Sequence, residues 1–535
     1  MPTLDDARAP VDPGRPSGAL AEGPGAPATA LDLVIVGLAA LLLRIPAFLA
    51  SRSLVFDDGV FGSSVVAMRA GGVPFREVFS SQGPLFLPLA WLGDLVTLRT
   101  ADSPRTIAVV SGIAIAMAVY LAGRELSTRP RALLAAALVV VSGSVLWTTA
   151  PLAADGPASA LAVIAVTLAL VYRRSPSTAR AIVIGVLAGA AFSVKSLLVL
   201  PALVTVGILV VSRRRRRDIV VVPIAAAVVA LAVSVPWGIS RVLEQSVLYH
   251  TDAVGERAPL QNVETVARTL FTRDLPLVVA GIVAIVAWLW HRSRSAPGAG
   301  DPDPERAAPG PGGWIGRLGA GRVPIVVWTL LVGGVLLTEN PLWRSHVAHL
   351  VPPLALLIAT ARARWRTLAI ATAVALPVWA VSLHPLLWPS GPDRAETAAA
   401  RAIRSLPPGA MVISDTPGIV WRAGRRTPDR YVDTSILRIT SPRRDVRITE
   451  DDVVRDAASP RVCGVVQWSD VRFGSFNGLG RRLRREGYVR QFVAPGSSHV
   501  LWLKARCRPH GPPPAAWPAR ADRTSAAVSP VRSPG

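Results

Sequence analysis

Two adjacent acids, Asp57 and Asp58, follow the first long apolar segment of the chain. A carboxylate held against a bilayer is costly, so an acidic pair in this position is a candidate for chemistry, such as general-base catalysis on a hydroxyl. The alternatives are two solvated loop acids or an N-cap for the helix predicted from Val60. A third acid, Asp155, lies just before Pro157 and is either a second catalytic candidate or a helix N-cap.

Cationic and polar side chains near these acids could bind a phosphate. Lys195 is the only charged residue between Arg180 and Arg213. It could hold a lipid phosphate, or it could simply extend its amine to the membrane surface. Gln82 precedes a Gly-Pro dipeptide shortly after the acidic pair. Lys195 and Gln82 are therefore predicted donor-binding residues.

A third set of candidates lies around Arg344. His346 and His349 are three residues apart and share a helical face. Arg344 and His346 are predicted phosphate ligands, whereas Asp57, His346 and His349 could hold a divalent metal ion. The alternative is a polar helix end packed on a loop. No cofactor other than this metal ion is suggested by the sequence.

Long apolar blocks separate these candidates. The 535-residue chain is 51% hydrophobic and 17% charged, whereas soluble domains are roughly 25% charged. Because about 20 apolar residues cross a bilayer as a helix, we predict a polytopic α-helical membrane protein. About eleven transmembrane helices are predicted, at 31–50, 105–123, 132–150, 158–172, 180–194, 196–211, 219–238, 275–290, 323–338, 347–360 and 367–387. The short block at 84–98 is predicted to be interfacial or re-entrant.

The connections between these blocks alternate between two kinds. One kind is rich in arginine, and the other holds the candidate residues, at 51–104, 151–157, 193–196, 239–274 and 338–346. Basic loops stay on the cytoplasmic side, which predicts a plasma-membrane protein with its N-terminus inside and its C-terminal domain outside. The flanking arginines also explain the net charge of +23, so we expect no nucleic-acid partner.

The predicted domains follow from composition. They are a disordered cytoplasmic tail (1–30), a transmembrane domain (31–390) with an outer catalytic loop (51–104), an extracytoplasmic α/β domain (391–508) and a disordered tail (509–535). A flexible cytoplasmic linker is predicted at 301–313. In the α/β domain, strands are predicted at 411–414, 461–467 and 499–504, and helices at 397–406, 449–457 and 479–486. Thr449 ahead of Asp452 predicts a capped start for the second of these helices. Cys463 and Cys507 could form a disulfide in an oxidising compartment or remain two free thiols.

The ordered motifs resemble those of the integral-membrane glycosyltransferases that use polyprenyl-phosphate sugars, the GT-C superfamily. This superfamily includes the protein O-mannosyltransferases, the aminoarabinose transferases and the family 39 enzymes. The stretches that carry the resemblance are Asp57–Gly62, Gly71–Phe75, Gln82–Leu85, Pro151–Asp155, Lys195, Pro236-Trp237 and His346–Pro353. Two positions depart from the pattern, since Asp58 stands where Glu is common and Gly83 stands where the aminoarabinose transferases have a phosphate-binding lysine.

The resemblance implies an inverting glycosyltransferase. Such an enzyme would move a sugar from a polyprenyl-phosphate donor to an acceptor hydroxyl on a glycan, lipid or protein, at the outer face of the plasma membrane. By analogy Asp57 would be the catalytic base or a metal-contacting acid, Asp155 would assist, and Lys195 would bind the lipid phosphate. Two other functions remain open, a transporter or flippase of lipid-linked glycans and a non-catalytic envelope assembly protein that binds a partner through its outer domain.

Overall fold

The computed structural model describes residues 26–50, 56–97, 99–100, 102–213, 215–252, 259–294, 322–384, 394–438, 448–493 and 499–507. The flexible linker predicted at 301–313 and the tail predicted at 509–535 lie outside these residues. The first helix begins at Ala26, so the predicted N-terminal tail extends too far. Pro27 is the second residue of this helix, where a missing N–H costs nothing.

The described residues up to 384 are mainly helical. The helices are α1 (Ala26–Ala50), α2 (Phe56–Arg69), α3 (Phe86–Val96), α4 (Thr106–Leu126), α5 (Arg129–Val140), α6 (Gly143–Thr149), α7 (Asp155–Arg174), α8 (Thr178–Val194), α9 (Ser196–Val211), α10 (Arg216–Ser234), α11 (Ile239–Leu243), α12 (Tyr249–Asp252), α13 (Pro259–Arg273), α14 (Leu275–Arg294), α15 (Val323–Thr338), α16 (Val351–Thr360) and α17 (Trp365–Ser382). A 3₁₀ turn at Arg344–Leu350 leads into α16. The predicted apolar blocks coincide with helices, and the short 84–98 block contains α3.

Six helices in the described part of the chain are long and apolar enough to cross a membrane, and the α5–α6 pair, bent by 61°, raises the number to seven. The six lie at Ala28–Pro46, Ser103–Leu126, Asp155–Arg174, Arg216–Trp237, Leu275–Ser293 and Trp365–Ser382. The chain is therefore a multi-pass membrane protein. The predicted total of about eleven also counts α8, α9, α15 and α16, which are shorter, and it stays a prediction.

The helices run between two ends of different chemistry. The arginine-rich connections meet at one end, where Arg174 pairs with Glu125 and Arg215 donates to the Pro176 carbonyl. The connections that hold the candidate residues meet at the opposite end, through contacts such as Gly83 N–H to Val194 O, Leu152 N–H to Asp58, His250 to Ser81 O and Asn262 to Glu339 O. The alternation seen in the sequence thus separates the two kinds of connection in space.

The bend between α5 and α6 directs the chain into the segment before Asp155. The Ser142 hydroxyl accepts a hydrogen bond from the Val145 N–H and donates one to Asp274 at 2.6 Å. A Cβ on Gly143 would lie 2.6 Å from the Arg273 carbonyl oxygen. The close approach of these two segments therefore requires glycine at this position.

The C-terminal domain is a four-stranded sheet with helices packed on it. Its strands are β1 (Met411–Ser414), β2 (Val462–Gln467), β3 (Tyr488–Val493) and β4 (Val500–Lys504), in the order β1-β2-β4-β3, with β1 parallel to β2 and the other pairs antiparallel. Its helices are α18 (Arg394–Arg404), α19 (Pro417–Arg422), α20 (Glu450–Ala458) and α21 (Leu479–Arg485). Three strands and three helices were predicted, and β3 and α19 were missed.

Two local predictions for this domain can be compared with the structure. Thr449 and Asp452 form the predicted capping box at the start of α20, in which each side chain binds the main-chain N–H of the other residue. Cys463 and Cys507 form a disulfide, the first of the two alternatives left open by the sequence. The bond ties β2 to the residues that follow β4.

Helix α2 packs directly against α19 of the C-terminal domain. A Cβ on Gly59 would lie 2.4 Å from the Gly418 Cα, so the two backbones touch. The Ser63 hydroxyl donates to the Pro417 carbonyl at 3.3 Å. Asp415, two residues before α19, accepts hydrogen bonds from the main-chain N–H groups of residues that follow β2. Burial raises the pKa of Asp415 to about 6, so at neutral pH these N–H groups hold a charged carboxylate.

We expect the Gly59→Ala substitution to loosen this contact, because the added methyl group would overlap the Gly418 backbone. Overpacking of this kind costs about 1–3 kcal/mol. The measurement is the apparent midpoint of thermal unfolding in detergent, with limited proteolysis to detect release of the C-terminal domain. Gly207→Ala is the control, since a Cβ there meets no atom within 4 Å among the described residues. Equal midpoints for Gly59→Ala and Gly207→Ala would show that the contact between Gly59 and Gly418 does not stabilise the protein.

Candidate active site

A partly buried ion pair lies at the end of the helices where the candidate residues meet. Lys195 separates α8 from α9 in an extended conformation, with φ −155° and ψ 108°. This break directs its side chain toward Asp155, the first residue of α7, and the Lys195 Nζ donates to Asp155 Oδ1 at 2.7 Å. The two side chains are 18% and 6% exposed. The predicted catalytic acid and the predicted phosphate ligand are therefore direct partners.

Two histidines complete the surroundings of this pair. His346 Nε2 lies 3.0 Å from Lys195 Nζ, and His349 Nε2 lies 3.2 Å from Asp155 Oδ1. Both histidines belong to the 3₁₀ turn at Arg344–Leu350, which has three residues per turn. The i, i+3 spacing therefore stacks the two rings on one face, as predicted, and both rings reach the same ion pair.

Glu339 is a further member of the cluster that the sequence analysis missed. Its carboxylate lies 2.6 Å from His346 Nδ1. A lysine ammonium can only donate hydrogen bonds, so His346 Nε2 accepts from Lys195, and the other ring nitrogen, Nδ1, lies beside the Glu339 carboxylate. The result is a continuous chain of polar groups, Glu339–His346–Lys195–Asp155–His349. Glu339 carries no local motif, since it follows an ordinary apolar helix.

The acidic pair divides between two environments. Asp58 is fully buried, accepts a hydrogen bond from the Leu152 N–H at 2.8 Å, and lies 3.2 Å from the Arg105 guanidinium. It therefore ties α2 to the segment that leads into Asp155. Asp57 is exposed at the start of α2. Of the two acids, Asp57 is the one that is exposed to solvent.

The loop that holds Gln82 packs against the end of α8. The N–H groups of Gly83 and Leu85 donate to the Val194 and Ser193 carbonyls, each at 3.0 Å, next to Lys195. A Cβ on Gly83 would lie 2.2 Å from the Ser193 oxygen. This packing leaves no space for a side chain, so position 83 requires glycine in this structure.

His250 and Asp433 bind the same loop, and sequence analysis identified neither of them. His250 Nε2 donates to the Ser81 carbonyl at 2.8 Å, and the Ser81 hydroxyl donates to Asp433 of the C-terminal domain at 3.1 Å. Gln82 itself is half-buried, and its amide lies 3.4 Å from the Ser81 hydroxyl. The loop thus joins the membrane helices, the α11–α12 region and the C-terminal domain.

Arg344 lies apart from the ion pair. Its guanidinium donates to the hydroxyls of Thr269 and Thr272 on α13, at 3.2 and 3.1 Å, and the residue is exposed. The structure therefore groups Lys195 and His346 among the predicted phosphate ligands, but it directs Arg344 toward a neighbouring helix. Within the described residues, no group of three or more His, Cys, Asp or Glu side chains is arranged to hold a metal ion.

Comparison with known proteins gives a family match and a shared fold. Residues 81–239 match the model of the dolichyl-phosphate-mannose-protein mannosyltransferase family. No curated protein matches the chain significantly. The match to the mannosyltransferase family model covers the Gln82 loop, Asp155 and Lys195, and it ends shortly after Pro236-Trp237.

Solved structures extend the comparison to nearly the whole chain. ArnT from Cupriavidus metallidurans bound to undecaprenyl phosphate is 13% identical, with a TM-score of 0.60 over 91% of this chain and 100% of ArnT. The oligosaccharyltransferase of Archaeoglobus fulgidus in its apo form is 13% identical, with a TM-score of 0.50 over 89% of this chain and 74% of the archaeal protein. The resemblance to the GT-C superfamily is thus confirmed, as a similarity of fold along the chain and of sequence over residues 81–239.

We expect Asp155→Asn to expose the amine of Lys195, because the amine loses the carboxylate that orients it. Loss of a charged hydrogen bond of about 1.5 kcal/mol corresponds to roughly tenfold faster acetylation by an amine-specific reagent. Peptide mapping by mass spectrometry measures the rate at each lysine. Lys195 and Lys504 are the only lysines in the sequence, so Lys504 is an internal control. An unchanged Lys195 rate would show that Asp155 does not restrain the amine.

Proposed function

We propose that this chain is an inverting glycosyltransferase that moves a sugar from a polyprenyl phosphate to an acceptor hydroxyl. The observation that carries the proposal is the buried Lys195–Asp155 pair with His346 and His349 beside it. It lies in a fold shared with ArnT, whose structure holds undecaprenyl phosphate. The family match over residues 81–239 supports the same class of donor.

In the proposed reaction, Asp57 removes the proton from the acceptor hydroxyl as the oxygen attacks the anomeric carbon of the sugar. The bond from this carbon to the phosphate oxygen breaks, and its electron pair leaves with the polyprenyl phosphate. Lys195 binds the departing phosphate, whose charge grows during the step. Attack from the face opposite the phosphate inverts the configuration at this carbon.

Asp155 and the histidines act on Lys195 in this proposal. The cluster holds one ammonium and two carboxylates, so Lys195 is already paired with Asp155 before a donor arrives. A phosphate that binds Lys195 must therefore share the ammonium with Asp155. His346, held by Glu339, keeps the amine in place while the ammonium is shared. The acceptor is a glycan, a lipid or a protein.

We further propose eleven spans, with the basic connections in the cytoplasm and the candidate site at the outer face of the plasma membrane. The gathering of the arginine-rich connections at one end supports this orientation, because basic loops stay inside. The C-terminal domain contacts the candidate end through Ser81 and Asp433, so it lies outside in this topology. The Cys463–Cys507 disulfide agrees with an oxidising compartment.

Asp57→Asn and Asp58→Asn are expected to have different effects. Removal of a general base slows a reaction by about 10²–10⁴-fold, so Asp57→Asn should abolish transfer while leaving thermal unfolding unchanged. Asp58→Asn should lower the unfolding midpoint, because its buried carboxylate faces Arg105. Mass spectrometry of polyprenyl-phosphate sugars and envelope glycans in cells with equal protein abundance measures transfer. Identical glycan profiles for wild type and Asp57→Asn would show that Asp57 is not the catalytic base.

Undecaprenyl phosphate is expected to protect Lys195 from acetylation, because the phosphate would engage the amine. The control ligand is undecaprenol, which has the same chain and no phosphate. Rates at Lys195 and Lys504 are measured by the same peptide mapping in the purified full-length protein. We expect several-fold slower labelling of Lys195 with the phosphate alone. Equal protection by undecaprenol would mean that the lipid chain covers the site and that Lys195 does not bind the phosphate.

A further inference from the structure

A cavity of about 570 Å³ lies at the end of the membrane helices opposite the candidate active site. Its lining comes from five segments that meet there: the end of α4, the start of α5, the end of α14, the residue before α15 and the end of α16. The lining residues are Leu126, Ser127, Thr128, Arg131, His291, Arg322, Thr360, Ala361 and Arg362. We call this the basic pocket.

The helices that line the basic pocket also reach the candidate active site. Arg322 precedes α15, and Glu339 follows the same helix. His349 precedes α16, and Thr360 ends it. A helix of sixteen residues is about 24 Å long, so the basic pocket and the Lys195–Asp155 pair lie near opposite membrane surfaces.

Among the described residues that line the basic pocket, no acid balances the positive charge. Three of the lining residues are arginines and none is an acid. Burial and the positive charges of Arg362 and Arg131 lower the pKa of the Arg322 guanidinium, so these cations are close enough to repel one another. In the described part of the chain, neither Arg322 nor Arg362 forms an ion pair, whereas other arginines at this end pair with Asp32 and Glu125.

Arg131 has a separate structural task. It donates to the carbonyls of Ala359, Ala361 and Ala363, which close the end of α16. These acceptors are neutral, so they do not cancel the positive charge that Arg131 brings to the lining of the cavity. The backbone around the basic pocket is thereby fixed, while Arg322 and Arg362 are exposed at its mouth.

We propose that the basic pocket binds the headgroup of an anionic phospholipid. Guanidinium groups bind phosphate oxygens with paired hydrogen bonds, and basic pockets between transmembrane helices on the cytoplasmic side are suited to anionic headgroups. A cavity of about 570 Å³ is within the usual size of small-molecule sites. Its position at a membrane surface favours a lipid phosphate over a free one. This site is separate from the proposed transferase site.

The test compares lipid retention by the full-length protein in native mass spectrometry, with phosphatidylglycerol and phosphatidylcholine supplied in equal amounts. The variant is Arg322→Gln/Arg362→Gln. The matched control is Arg364→Gln/Arg366→Gln, which removes two charges from the exposed start of α17, next to the cavity but not lining it. We expect wild type and control to retain phosphatidylglycerol preferentially, and the pocket variant to lose about tenfold of this preference, equivalent to 1.4 kcal/mol.

Three results would overturn the proposal. One is an equal loss in the control variant, which would indicate general surface charge. Another is arginine-dependent binding of inorganic phosphate without retention of phosphatidylglycerol. The third is lipid binding that appears only after Asp301, Asp303 and Glu305 are neutralised, which would indicate that the chain's own acidic segment fills the cavity. Protection of Lys195 by undecaprenyl phosphate, measured in the same pocket variant, tests the transferase proposal independently.

Discussion

The candidate site depends on one interaction, the ion pair between Lys195 and Asp155. Removing two charges from water is expensive, and one partner left alone in a buried position destabilises a protein by about 3–5 kcal/mol. The fold must therefore place the Lys195 ammonium and the Asp155 carboxylate next to each other. It does so with a helix break at Lys195 and a helix start at Asp155, two places where the backbone changes direction. His346 and His349 enclose the pair from a third segment.

The same end of the molecule is held together by contacts between segments far apart in the chain. The Gln82 loop binds the main chain just before Lys195, and Asp58 binds the main chain just before Asp155. The C-terminal domain then packs on α2 through Gly59 and Gly418. Since α2 carries Asp57, this contact fixes the C-terminal domain against the helix that holds the exposed acid. In this structure the domain is part of the framework of the site.

Sequence reasoning identified much of this arrangement because the signals were local. Apolar blocks marked the helices, the alternation of basic and candidate-bearing connections marked the two ends, and the i, i+3 spacing marked the stacked histidines. The capping box of α20 was legible because it needs only two residues three apart. Strand β3 was missed because Arg490 and Gln491 interrupt its apolar residues. Its hydrogen-bonded pairing with β4 is visible only in the folded sheet.

The remaining features come from tertiary packing that a single sequence does not display. Glu339 and His250 have no distinctive neighbours in the chain, and each becomes recognisable only through a partner on another segment. The two adjacent acids look equivalent in sequence. They differ in the structure because Leu152 and Arg105 enclose Asp58 and leave Asp57 outside. Arg344 was predicted to be a phosphate ligand, but in the structure its guanidinium binds hydroxyl groups of α13.

The scarcity of lysine in this chain has a geometric consequence. Only two of its 58 basic Lys and Arg residues are lysines. An ammonium directs three hydrogens in a tripod, whereas a guanidinium is flat. Lys504 directs its tripod at the carbonyls of Ala457, Ala458 and Ser459, at 2.8, 3.1 and 3.2 Å. Among the described residues, Lys195 directs two hydrogens at Asp155 and His346, so the third can be offered to a ligand without breaking the buried pair.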